Sequence, residues 1–72
     1  MSASKDFAAI QRMLNECAPG HTIRLTDHFR RINYQGLIYP SLPKTKTVEI
    51  GHVRKMVRYF QIQDCASKHG MV

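Results

Sequence analysis

The chain has 72 residues, of which 43% are hydrophobic, and 11 Lys and Arg against 5 Asp and Glu give it a formal net charge of +6. That length suits one small domain, and the apolar fraction argues against a disordered chain. The N-terminal stretch MSASKDFAAIQRMLNECAPG contains charges and no continuous apolar run, so we expect neither a signal peptide nor a membrane span, and a cytoplasmic protein.

Residues 4 to 17 are predicted to form an amphipathic helix, because their apolar residues recur at steps of three and four. These residues are Phe7, Ile10, Met13, Leu14 and Cys17. Ser4 is the expected N-cap, and Pro19 with Gly20 ends the helix.

Three short strands are predicted next. From Thr22 the apolar period changes to two, which favours a half-buried strand. The second strand, Phe29 to Tyr34, has two interpretations: strict alternation places His28 on the face of Ile32, whereas a bulge at Arg30 and Arg31 returns Phe29 to that face and leaves His28 in the preceding turn. Gln35 and Gly36 form a tight turn.

The third strand is predicted over Leu37 to Tyr39, since Pro40 ends a strand or lies at a sheet edge. Residues 40 to 47, PSLPKTKT, have the composition of a loop. A second helix begins at Thr47 or Glu49, or at Gly51 with His52, and runs to about Gln61. Its apolar stripe consists of Val53, Met56, Val57 and Phe60.

These elements predict an α+β fold of the order helix, strand, strand, strand, helix. Two helices pack on one face of a small antiparallel three-stranded sheet, and the other face is left to water or a partner. Residues 1 to 62 form a single basic α+β domain, and residues 63 to 72 a loosely ordered tail, because the tail is polar and lacks periodicity.

The positive charge is concentrated in residues 19 to 62. This segment has eight Lys and Arg residues and only two acidic residues, Asp27 and Glu49, and so accounts for the whole net charge of +6. Such a field favours nucleic acid as partner, while an acidic protein and mere solubility remain alternatives. We expect these side chains to bind nucleic acid: Arg24, Arg30, Arg31, Lys44, Lys46, Arg54, Lys55 and Arg58. Phe29, Tyr34, Tyr39 and Tyr59 would stack on bases if exposed, but Phe29 and Tyr34 are expected in the core and Tyr59 half-exposed.

No cofactor and no metal site are expected. Cys17 and Cys65 lie far apart in the sequence, without the spacing of a disulfide framework or a paired-cysteine metal site, and are interpreted as reduced thiols. His28 is the candidate catalytic group, because metal-free RNA cleavage needs a general acid or base of near-neutral pKa beside cations. The alternative is a histidine that contacts phosphate or solvent.

Two stretches carry a resemblance to a known family. DHFRRINYQGLIYP and EIGHVRKMVRYFQI resemble HicA-type toxins, small mRNA interferases with a fold like a double-stranded-RNA-binding domain. The resemblance implies that His28 is the catalytic histidine of an endoribonuclease, that Gly51 and His52 replace the helix-initiating Gly-Thr, and that an acidic antitoxin-like protein is the partner. Thr26 and Asp27 stand where that family has Gly-Ser.

Overall fold

A computed structural model describes residues 3–71 and has an α+β fold with two antiparallel sheets. The elements are β1 (Ser4–Asp6), α1 (Phe7–Cys17), β2 (Thr22–Leu25), β3 (Phe29–Tyr34), β4 (Leu37–Pro43), β5 (Thr47–Glu49), α2 (Ile50–Phe60) and α3 (Gln63–Lys68). The three-stranded sheet has the order β2-β3-β4, and β1 pairs with β5 in a second sheet. Within residues 3–71 no helix is both long and apolar enough to cross a membrane.

The core lies between the helices and one face of the three-stranded sheet, as the apolar periodicity predicts. The buried residues of α1 are Ile10, Met13, Leu14 and Cys17, and those of α2 are Val53, Met56, Val57 and Phe60. Ile32 of β3 and Leu42 of β4 are fully buried against them. The predicted fold class, with two helices on one face of an antiparallel three-stranded sheet, is confirmed.

Of the two interpretations of β3, strict alternation is the one that the structure shows; the pairing of β3 with β4 shifts register between Arg30 and Ile32, but β3 itself contains no bulge. Pairing of β2 with β3 is uninterrupted from Thr22 opposite Asn33 to Leu25 opposite Arg30. The irregularity lies instead in β4, which advances three residues between Leu42 and Tyr39 while β3 advances two. An extra residue therefore bulges from the edge strand.

The third strand is longer than predicted, because β4 continues through Pro40 to Pro43. β4 is an edge strand, where a proline without an N–H is tolerated. The predicted loop over residues 40 to 47 is thus limited to residues 44–46. The turn before β4 is as expected: Gln35 and Gly36 have φ of 51° and 80°, the positive values that a tight hairpin turn requires.

The short sheet of β1 and β5 was not predicted. Lys5 pairs with Val48, whose side chain is 1% exposed, and the Phe7 N–H donates to the Lys46 carbonyl at 2.8 Å. Because Ser4 belongs to β1, it is not an N-cap, and α1 begins at Phe7 after Asp6. This pairing leads the chain directly into both long helices.

The C-terminal segment is anchored, so the expectation of a loosely ordered tail does not describe residues 63–71, and residue 72 lies outside the described residues. Ala66 of α3 and Met71 are 0% and 3% exposed. Cys17 and Cys65 form a disulfide, which corrects the interpretation of two reduced thiols. A link across 48 residues stabilises a chain by about 4 kcal/mol in the loop-entropy account.

Arg30 has an inward position on β3 that the alternation imposes. Its guanidinium carbon lies 3.6 Å from the centroid of the Phe7 ring, and its Nη1 donates to the Pro43 carbonyl at 2.6 Å. Desolvation by partial burial lowers the pKa of Arg30, but arginine remains protonated at neutral pH. These contacts join β3, β4 and α1 at one end of the sheet.

We expect Arg30→Gln to lower the free energy of unfolding by about 2 kcal/mol, because the substitution removes a cation–π contact and a charge-assisted hydrogen bond. Urea denaturation followed by circular dichroism measures this loss. The matched control is Arg31→Gln on the exposed face of the same strand. An equal effect of the two substitutions would contradict a structural role for Arg30.

Candidate nucleic-acid interface

The turn between β2 and β3 presents His28 to solvent. Hydrogen bonds between Thr26 and Phe29 close this turn: the Thr26 hydroxyl donates to the Phe29 carbonyl at 3.0 Å and accepts from the Phe29 N–H at 3.1 Å. His28 is exposed, and its ring lies 6.4 Å from the Phe29 ring in an edge-to-face arrangement. His28 therefore lies outside the core, as the turn interpretation expected, although no bulge in β3 is needed to place it there.

Arg24 and Arg31 lie directly opposite each other on neighbouring strands, and both are exposed. Because Arg30 and Ile32 point inward, these two arginines lie on the outward side of the sheet. Among residues 3–71 the sole salt bridge joins His69 to Glu16, so no carboxylate neutralises either guanidinium. Like charges directly opposite in a sheet repel and reduce stability.

Around this pair the outward side combines polar and apolar groups. Phe29 is 42% exposed and Ile38 is 45% exposed. Asn33 pairs with Thr22 on one side and with Ile38 on the other. We name this surface the open sheet face: Thr22, Arg24, Phe29, Arg31, Asn33 and Ile38. Both long helices pack on the other side of the sheet, so neither covers it.

The remaining cations do not gather on the open sheet face. Lys44 lies at its end, where its Nζ donates to the Thr26 carbonyl at 3.2 Å, and Lys46 is exposed in the connection between β4 and β5. Arg30 is occupied by Phe7 and the Pro43 carbonyl, on the inward side.

The cations of α2 belong to the other layer of the domain. Arg54, Lys55 and Arg58 are exposed on the side of α2 opposite its buried stripe. Arg54 and Arg58 line a groove of about 450 Å³ with α3, which contributes Gln63, Asp64 and Ser67. The eight predicted cations thus form at least two separate surfaces.

Phe29 and one cluster of side chains lie where the sequence did not predict them. Phe29 was expected in the core and is exposed. Tyr34, also expected in the core, is half-buried and packs against it, with its ring 5.6 Å from that of Phe60. Tyr59 is 44% exposed, as expected. The cluster consists of Cys17, Cys65 and His69, whose ligand atoms all lie within 4.8 Å of one another. Its sequence signal is the four-residue step from Cys65 to His69, which places both on one side of a helical turn.

Comparison of the chain with models of known protein families, with curated proteins and with solved structures gives no match.

We expect Arg24→Gln and Arg31→Gln each to raise the free energy of unfolding by about 0.5 kcal/mol, because either one relieves the cross-strand repulsion. The double variant should gain little more than each single variant, since the repulsion needs both charges. Denaturation at low salt measures these differences, with Lys46→Gln as the exposed control. Additive gains, or no gain, would contradict a direct repulsion between the two arginines.

Proposed function

We propose that the chain binds single-stranded nucleic acid, with RNA favoured, on the open sheet face. The observation that carries this proposal is the exposed pair of Arg24 and Arg31, which lie directly opposite each other and, among residues 3–71, form no salt bridge. A polyanion laid across the two strands removes the repulsion and releases its own counterions. The repulsion between Arg24 and Arg31 thus lowers the stability of the free chain, and its relief adds to the free energy of binding.

The exposed ring of Phe29 favours the binding of single-stranded nucleic acid over that of a duplex. Its exposed ring lies on the same strand and face as Arg31, two residues away. An unpaired base can stack on such a ring regardless of its identity, whereas bases in a duplex are already stacked on each other. An arginine beside an aromatic ring thus provides one contact for phosphate and one for a base.

The double substitution Arg24→Gln with Arg31→Gln tests the proposal. We expect the affinity for a single-stranded RNA oligonucleotide to fall about tenfold or more at low salt. The slope of log K against log salt should become shallower by about 0.7 for each phosphate that the variant no longer neutralises. Fluorescence anisotropy titrations at several salt concentrations measure both quantities.

The matched control is Arg54→Gln with Arg58→Gln, which removes the same charge from α2. If both double variants lose affinity equally, the overall field of the protein and not the open sheet face carries binding. Phe29→Ser should weaken binding about fivefold or more without changing the salt slope, since stacking contributes about 1–3 kcal/mol per base. Leu25→Ser, which removes an apolar side chain that is 60% exposed on the inward side, is its control.

A second proposal is that the bound RNA is cleaved, as the HicA resemblance implies, with His28 as general acid or base. It is favoured by the exposure of His28 beside Phe29, at the margin of the open sheet face. If a base of the RNA stacks on Phe29, His28 can reach a nearby 2′-hydroxyl. It can then accept the proton of that hydroxyl as a general base, without a metal ion. An acidic antitoxin-like protein would then inhibit by covering the same face.

We expect His28→Ala to reduce cleavage of single-stranded RNA about a hundredfold or more in the presence of a chelator, because general acid–base catalysis contributes on this scale. A matched oligodeoxynucleotide should remain intact, since it lacks the 2′-hydroxyl. Growth arrest on induced expression should disappear with the same substitution and persist in His52→Ala. Unchanged cleavage by His28→Ala would exclude the catalytic role.

Wild-type binding without cleavage would leave a nucleic-acid-binding regulator or adaptor, whose contacts are those of the first proposal. Phosphate contacts are strongest at low salt. If no oligonucleotide binds under that condition, the basic surface would instead bind an acidic protein.

A further inference from the structure

The cluster of Cys17, Cys65 and His69 joins two helices that are distant in sequence. Cys17 is the last residue of α1, Cys65 lies in α3, and His69 follows the last turn of α3. Their ligand atoms all lie within 4.8 Å of one another. Cys17 is 8% exposed and the other two residues are half-buried, so the cluster is partly accessible to water.

We propose that the reduced chain binds one zinc ion through the Cys17 and Cys65 thiolates and a ring nitrogen of His69. Two sulfurs and one imidazole nitrogen are ligands that zinc prefers, and water completes the tetrahedron when a protein supplies three ligands. Tetrahedral zinc with bonds of about 2.3 Å holds two sulfurs about 3.8 Å apart. The Cα atoms of the cysteines are 5.5 Å apart, so side-chain rotation provides that spacing without moving the helices.

Glu16 adds an independent feature of a metal site. Its Oε2 lies 3.0 Å from Nε2 of His69. A carboxylate that accepts a hydrogen bond from one imidazole nitrogen fixes the ring and leaves the other nitrogen, here Nδ1, to bind zinc. Glu16 is therefore a positioning residue, next in sequence to one of the ligands.

Packing of α3 and Met71 holds the backbone around the cluster in place independently of the disulfide bond. Ala66 is fully buried, and the Met71 N–H donates to the Ala66 carbonyl at 3.0 Å, which brings the buried Met71 side chain under α3. Reduction therefore leaves the two thiols facing each other across the junction of α1 and α3. A preformed arrangement of this kind lowers the ordering cost of binding a metal.

The disulfide and the zinc site are alternative states of the same side chains. A dithiol reductant transfers two electrons and two protons to the bond between Cys17 and Cys65, and the reductant itself becomes a disulfide. Zinc then displaces the two thiol protons, which pass to solvent. A disulfide oxidant accepts the two electrons of the thiolates and two protons from solvent and becomes two thiols, while Cys17 and Cys65 form their bond again and release the ion.

Cobalt titration of the full chain tests the proposal, because thiolate ligands give cobalt a charge-transfer band in the near ultraviolet. The protein is reduced with a phosphine, freed of it without air, and titrated with Co²⁺ and then with competing Zn²⁺. We expect one cobalt per reduced chain, displacement by zinc, and no band from the oxidised chain. Zinc should also raise the melting temperature of the reduced chain and leave that of the oxidised chain unchanged.

His69→Ala keeps both cysteines and isolates the histidine. We expect it to weaken cobalt binding at least about tenfold, whereas His52→Ala on α2 leaves the affinity unchanged. No binding by the reduced wild-type chain overturns the proposal and leaves the cysteines a disulfide alone. Equal binding by His69→Ala, or by the oxidised chain, overturns it as well, since the ligands would then lie elsewhere.

Discussion

Alternation along β3, the central strand, is the constraint on which the rest of the structure depends. Ile32 points into the core and Arg31 to the open sheet face, and the intact pairing with β2 fixes this choice. A slip of one residue would bury Arg31 and expose Ile32, at the cost of an unpaired buried charge. A single pairing register therefore determines both the core face and the open face of the sheet. Arg30 can point inward because its guanidinium contacts the Phe7 ring and donates to the Pro43 carbonyl.

Attachment of the C-terminal segment compensates for the small size of the domain. A chain of 72 residues buries a modest share of its surface, so each additional link has weight. Ala66 and Met71 add apolar burial, and the bond between Cys17 and Cys65 ties α3 to the end of α1. A metal held by the same side chains would perform the same task in a reducing compartment, where a disulfide does not persist.

Elements with local signals were predictable from the sequence, and elements that depend on distant partners were not. The stripes of α1 and α2 and the turn at Gln35 and Gly36 are encoded within a few residues. By contrast, β1 exists because residues more than forty positions later pair with it, and β4 passes Pro40 because that strand lies at an edge. The exposure of Phe29 follows from register, and the meeting of Cys17 with His69 from tertiary packing, neither of which a local pattern contains.

The two candidate sites lie in different layers, and this separates their effects. Arg24 and Arg31 are held by the pairing of β2 with β3, which contains no cysteine. Arg54 and Arg58, however, share a groove with Gln63 and Asp64 of α3, the helix that Cys65 ties to α1. The groove of Arg54 and Arg58 is therefore connected to the cysteines through α3, whereas the open sheet face is held by strand pairing alone.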